Sequence, residues 1–162
     1  MKNTLSLTIS ALAIGASLAA PAFAAEQADS IATALTGGDA SIALRYRYEH
    51  VDQDNATDTA NASTLKTRIT YDSLSYQGFK AKLEFDNNSV VIEDDYNDGS
   101  GGTEAVVLDA TYTEVNQAFV DYAAPANTLI RYGRQRINLD NQRFVGGVAW
   151  RQNEQTYDAA AL

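Results

Sequence analysis

From Ser41 onward the hydrophobic positions of this chain recur every second residue, the period of a strand whose two faces meet different surroundings. Ile42, Leu44, Tyr46 and Tyr48 alternate with Ser41, Ala43, Arg45, Arg47 and Glu49. Leu65, Thr67, Ile69 and Tyr71 alternate with Lys66, Arg68, Thr70 and Asp72, and Phe79, Ala81, Leu83 and Phe85 with Lys80, Lys82, Glu84 and Asp86. A weaker run over 115–122 sets Ala118, Val120 and Tyr122 against Gln117 and Asp121. A fifth run spans Thr128 to about Gln135, and a sixth begins near Gln155. Ahead of the strands, Asp29 is expected to cap a short helix through Thr36, and Gly37-Gly38 to stop it in the left-handed conformation that glycine adopts cheaply.

The predicted connections alternate in length. Short turns at 73–78 and 123–127 alternate with long polar segments at 52–61, 87–113 and 136–154. That asymmetry, with Tyr71, Tyr76, Tyr122 and Tyr132 flanking the short turns, predicts an up-and-down outer-membrane barrel with tight periplasmic turns and external loops. The fold class is therefore all-β, the N-terminal five to six strands of an antiparallel transmembrane β-barrel. A signal peptide precedes it, because Lys2 leads an apolar run from Leu5 to Ala20 that ends in Pro21 and Ala22-Phe23-Ala24. Ser6, Thr8, Ser10 and Ser17 weaken that run as a membrane span. The expected organisation is a signal peptide over 1–24, a periplasmic segment with the short helix over 25–38, and a partial barrel over 39–162.

Strand parity assigns the charges. Arg45, Arg47, Lys66, Arg68, Lys80 and Lys82 all lie opposite the apolar set and should face a lumen, since one of them at the bilayer midplane facing lipid costs about 2–4 kcal/mol. Glu49, Asp72, Glu84 and Asp86 share that face near strand ends, so the mid-strand lining is expected to be basic. The chain as a whole is acidic, with 12 Lys and Arg against 21 Asp and Glu, which argues against nucleic-acid binding. The absence of cysteine excludes a disulfide scaffold and any cysteine-ligated metal site.

Arg131 shares parity with Leu129 and Gln135, whereas Arg134 breaks it, as if the strand had ended or bulged. The segment 131–151 holds Arg131, Arg134, Arg136, Arg143 and Arg151 against a single acid, Asp140. Two readings stay open: these arginines pair structurally with acids, or the long loop folds inward and they form a constriction that selects anions. By contrast, 84–121 contains ten acids and no base. Within it Asp94, Asp95 and Asp98 resemble part of a calcium loop, but Tyr96 occupies a ligand position and Glu104 comes one residue early, so a solvated acidic loop is the default. No metal or cofactor is expected.

Several stretches resemble a known family. Ala34-Leu35-Thr36-Gly37-Gly38, Arg45-Tyr46-Arg47-Tyr48-Glu49, Thr64-Leu65-Lys66-Thr67-Arg68 and Gly78-Phe79 are similar to the opening of bacterial alginate-export porins. Gly133-Arg134-Gln135-Arg136-Ile137, Asp140-Asn141-Gln142-Arg143-Phe144-Val145-Gly146, Trp150-Arg151-Gln152 and Thr156-Tyr157-Asp158 resemble that family's most recognisable block. The resemblance implies an outer-membrane barrel of about eighteen strands with an arginine-rich conduit for an anionic polysaccharide. Five or six strands fall short of the roughly eight that close the smallest bacterial barrels, and Ala159-Ala160-Ala161-Leu162 lacks a terminal aromatic, so an N-terminal fragment is expected.

The expected function is passive export or diffusion of an alginate-like uronate polymer through a pore lined by Arg45, Arg47, Lys66, Arg68, Lys80, Lys82, Arg131, Arg134, Arg136, Arg143 and Arg151. Outer-membrane lipid and lipopolysaccharide are the expected surroundings. A porin for small anions is the alternative. A secreted soluble β binding protein, which would stay in solution without detergent, and a barrel enzyme rank lower. His50 is the only histidine, and no nucleophile-elbow motif accompanies it.

Overall fold

The computed structural model describes residues 26–54 and 56–162; the expected signal peptide lies outside them. Helix α1 (Ile31–Thr36) precedes strands β1 (Asp39–Val51), β2 (Ala60–Asp72), β3 (Phe79–Asp95), β4 (Tyr112–Ala124), β5 (Thr128–Gln135) and β6 (Tyr157–Ala161). The strands form one antiparallel meander in chain order, with β1 and β6 at the open edges. The connections are short at one end, 73–78 and 125–127, and long at the other, 52–59, 96–111 and 136–156. Among the described residues no helix is long and apolar enough to cross a membrane, which says nothing of crossing by strands.

Two expectations at the start of the chain are corrected. Ser30, not Asp29, caps α1: its Oγ accepts from the Thr33 N–H at 3.1 Å, while Asp29 accepts from the Thr33 hydroxyl at 2.7 Å. Gly37 ends the helix at φ −95°, outside the left-handed region. Gly38 serves close approach instead, because a Cβ there would fall 2.7 Å from Tyr71 Cζ. That approach lets the Tyr71 hydroxyl donate to Leu35 O at 2.6 Å, and Leu74 N–H donates to Ala34 O at 3.0 Å, docking α1 on the β2–β3 turn.

β3 runs well past the expected end at Asp86. Apolar alternation stops at Asn87, but Val90, Val91 and Ile92 are strong strand formers, and backbone pairing with β2 continues through an irregularity between Ala62 and Thr64. β4 starts at Tyr112 and carries Asn116 as an extra residue between the Glu84–Gln117 and Phe85–Val115 pairs.

The two faces of the sheet invert the usual order of a water-soluble protein. Ile42 is 70% exposed and Leu44 66%, and Ile69, Leu83, Phe85, Val120 and Tyr132 are exposed on the same face. The opposite face buries Glu49, Thr64, Lys66, Glu84, Asp86 and Asn88. Apolar side chains left bare while charges are covered require a solvent other than water on the bare side. A small apolar cluster of Ala60, Ala62, Ala105 and Val107 sits at the long-loop end, where 96–111 folds back toward β2. At the short-turn end Phe79 stacks on Tyr122 with ring centroids 4.6 Å apart.

Candidate functional site

The register sets opposite charges directly across from one another on the covered face. Arg68 faces Asp86, Lys82 faces Asp72 and Arg131 faces Asp121. The resulting contacts are Arg68 Nε to Asp86 Oδ1 at 2.7 Å, Lys82 Nζ to Asp72 Oδ2 at 2.7 Å and Arg131 Nε to Asp121 Oδ1 at 2.6 Å. The Arg131 guanidinium also lies 3.7 Å from the centre of the Phe119 ring. Gly133 stands opposite Phe119 at φ +130°, where a Cβ would come within 2.8 Å of the Phe119 Cα.

One juxtaposition opposes stability: Arg45 faces Lys66, and like charges directly opposite repel. The third long loop answers it. Carbonyls of Ala149, Trp150 and Arg151 accept from Arg45 at 3.2, 2.7 and 2.8 Å. The Trp150 carbonyl also accepts from Arg47 at 2.9 Å, and the Gln152 carbonyl accepts from Lys66 at 2.8 Å. Residues 149–154 therefore cross the polar face as a strap. Gln152 pins it: fully buried, it donates its N–H to Asp109 Oδ1 at 2.8 Å and its Nε2 to Arg45 O, Thr64 O and Thr64 Oγ1 at 3.0, 3.2 and 3.1 Å.

Two charge clusters flank this pin. In the first, Glu49 takes Arg47 at 2.5 Å and Arg151 at 2.9 Å, with Asp109 3.4 Å from Arg47. The Arg47 and Arg151 guanidinia lie 5.1 and 4.3 Å from the Trp150 ring. In the second, Glu154 binds both Arg68 and Arg136, and accepts from Asn116 at 2.5 Å. Glu84 accepts from Asn116 at 2.7 Å, from Gln117 at 3.1 Å and from Arg136 at 3.2 Å. Burial raises the Glu154 carboxyl, but the Arg136 hydrogen bond and the charges of Arg68 and Arg136 outweigh it and hold the pKa down to about 2. Asp109 goes the other way: burial pushes its carboxyl up, and the Gln152 N–H and nearby arginines only partly offset that.

The mid-strand lining is consequently not basic, contrary to the sequence expectation. Lys66, Arg68 and Arg136 meet Glu84, Asp86 and Glu154, while Arg47 and Arg151 meet Glu49 and Asp109. Glu84 and Asp86 are mid-strand because β3 continues to Asp95, and the loops deliver Asp109 and Glu154 from outside the strands. Arg45 holds only carbonyl acceptors, and Lys80 has no hydrogen bond or ion pair among the described residues.

Arg134 does not join the group. β5 continues without a bulge to Gln135, so parity sends Arg134 to the bare face with Tyr132, opposite Asp158, which it meets at 2.9 Å. Arg143 is exposed on the third loop, 5.8 Å from the Phe144 ring. Asp94 and Asp95 are strand residues, and Asp98 accepts from the Ser100 N–H at 3.0 Å, so the partial calcium loop does not gather its carboxylates. Among the described residues no three His, Asp or Glu side chains cluster as metal ligands. His50 pairs with Asn61 Oδ1 at 2.7 Å on the bare side of the sheet. The sequence reading missed Asp109, Asn116, Gln152 and Glu154; the one signal was an acid, Glu154, closely following an arginine-rich segment.

An antiparallel meander with one bare apolar face, one charged and loop-covered face, and short turns opposite long loops is the wall of a membrane β-barrel of the porin class. Residues 23–162 match the family model described as Alginate export, and the chain belongs to that family. Its members are outer-membrane porins, a transport family and not an enzyme family, which gives this chain a role in alginate export. No curated protein and no solved structure matches it.

Proposed function

We propose that the sheet forms part of the wall of an outer-membrane channel through which an anionic uronate polymer leaves the cell. The bare face meets lipid, the covered face lines the lumen, and the chain reaches the membrane after cleavage behind Ala24. The observation that carries this reading is the strap: residues 149–154 lie on the cation-bearing face, so the long external loop enters the space that face encloses. Most lining cations are neutralised by carboxylates, so selectivity rests on Arg45 and Lys80, which no carboxylate holds among the described residues, and on the field of the paired groups. Carboxylates of the polymer would exchange between such cations through contacts weak enough to release, with no covalent chemistry.

The test is electrical. The intact protein in planar bilayers should show a reversal potential that favours anions, and oligouronates should block its current. A channel that prefers cations and is not blocked would overturn the reading. Anion preference without block would favour a porin for small anions.

A further inference from the structure

On the covered face at the short-turn end, Asp72, Lys80, Lys82, Phe119, Asp121 and Arg131 line a pocket of about 150 Å³. Its charges do not cancel. Lys82 is held by Asp72 and Arg131 by Asp121, which leaves the half-buried Lys80 without a partner although it stands opposite Asp121 in the register. Asp121 directs both its oxygens to Arg131, at 2.6 and 2.7 Å, and makes no hydrogen bond or ion pair with Lys80. A lysine ammonium brings three donors, and those of Lys80 have no acceptor among the described residues.

We propose that this pocket is a carboxylate-binding subsite at the periplasmic mouth of the channel, where Lys80 receives one sugar-acid unit of the polymer before it enters the lumen. The proposal rests on the export reading above and adds a location, a residue and a side of the membrane. The pocket lies among the last residue of β2, the first residues of β3, the end of β4 and the start of β5, next to both short turns. Its polar rim is fixed, because Asp72 and Asp121 hold Lys82 and Arg131 in place and the Phe119 ring backs the Arg131 guanidinium. Among the described residues of the pocket, Lys80 is the cation that no carboxylate holds, and its ammonium is free to engage an arriving carboxylate. Strap residues 149–154 contact β1, β2 and β4 and do not line this pocket, so the subsite stays open while the strap is docked.

The test compares intact wild-type channel with Lys80→Gln and Lys80→Arg in planar bilayers, adding oligomannuronate to one side at a time. Block from the short-turn side should weaken about fivefold in Lys80→Gln, as loss of one screened charge contact implies, and recover in Lys80→Arg. Block from the opposite side should change far less. Glucuronate monomer and a neutral oligosaccharide, added in parallel, should block weakly or not at all. Equal weakening from both sides, or none, would overturn the subsite while leaving the export reading intact if wild-type block persists. Absence of oligomannuronate block in the wild type would overturn both. Heat-modifiable electrophoretic mobility of each variant establishes that it has folded.

Discussion

Glu154 ties three parts of the chain together: β2 through Arg68, β4 through Asn116 and the beginning of its own loop through Arg136. Because its folded pKa of about 2 lies below the ordinary 4.5, folding favours the ionised form. The stabilisation is complete above the unfolded value and is lost as pH falls through the folded one. Trp150 is the only tryptophan and sits in the strap, so its fluorescence reports strap attachment. Emission should stay constant between about pH 7 and 5 and shift as pH drops below about 4 toward 2. A transition centred above about pH 5 would assign the attachment to another group. Substitution separates the two buried acids. Glu154→Gln leaves two guanidinia short of a carboxylate and should cost about 2–4 kcal/mol in thermal unfolding of the detergent-solubilised protein. Asp109→Asn keeps an acceptor for the Gln152 N–H and removes a charge that burial already disfavours, so its change should stay within about 1 kcal/mol.

Strand parity explains why so much of the sheet was readable. Ile42 and Leu44, Ile69, and Leu83 and Phe85 repeat at two-residue intervals, and a one-residue slip would turn each row to the wrong side, so sequence and register constrain each other. The same rule overruled the expectation for Arg134, because β5 does not end before it and parity then sends it outward to Asp158. β3 outran its pattern for the opposite reason: past Asn87 its apolar alternation fades while hydrogen bonding to β2 goes on. The face assignment predicts labelling of the intact protein. Single cysteines at Leu44, Ile69 and Leu83 should react with lipid-soluble probes, and one at Lys80 with small aqueous thiol reagents. The reverse pattern would mean that the faces are exchanged.

At the scale of the whole molecule the two faces were legible and the strap was not. Alternation records which side of a strand is apolar, but Arg45 and the Trp150 carbonyl are 105 positions apart, and nothing local in either segment marks the other. The cations could be counted from the sequence; their neutralisation by Asp109 and Glu154 could not, since both acids reach the sheet only through loop folding. Replacing 149–153 by a glycine-serine linker should raise single-channel conductance, because the strap occupies part of the polar side. Unchanged conductance would mean that the strap lies outside the ion path.

The distance along the chain between β1 and the strap also orders events in time. Neighbouring strands pair across turns and loops of modest length, whereas the strap closes a loop of about a hundred residues and finds its acceptors only after the first strands are in place. Arg45 and Lys66 must therefore remain hydrated and mutually repelling through the earlier steps, and the strap arrives as a late clasp. In refolding from denaturant into detergent, the Trp150 signal should trail the far-ultraviolet signal of strand formation. Removing the clasp's pin with Gln152→Ala should speed unfolding far more than it slows the appearance of the strands.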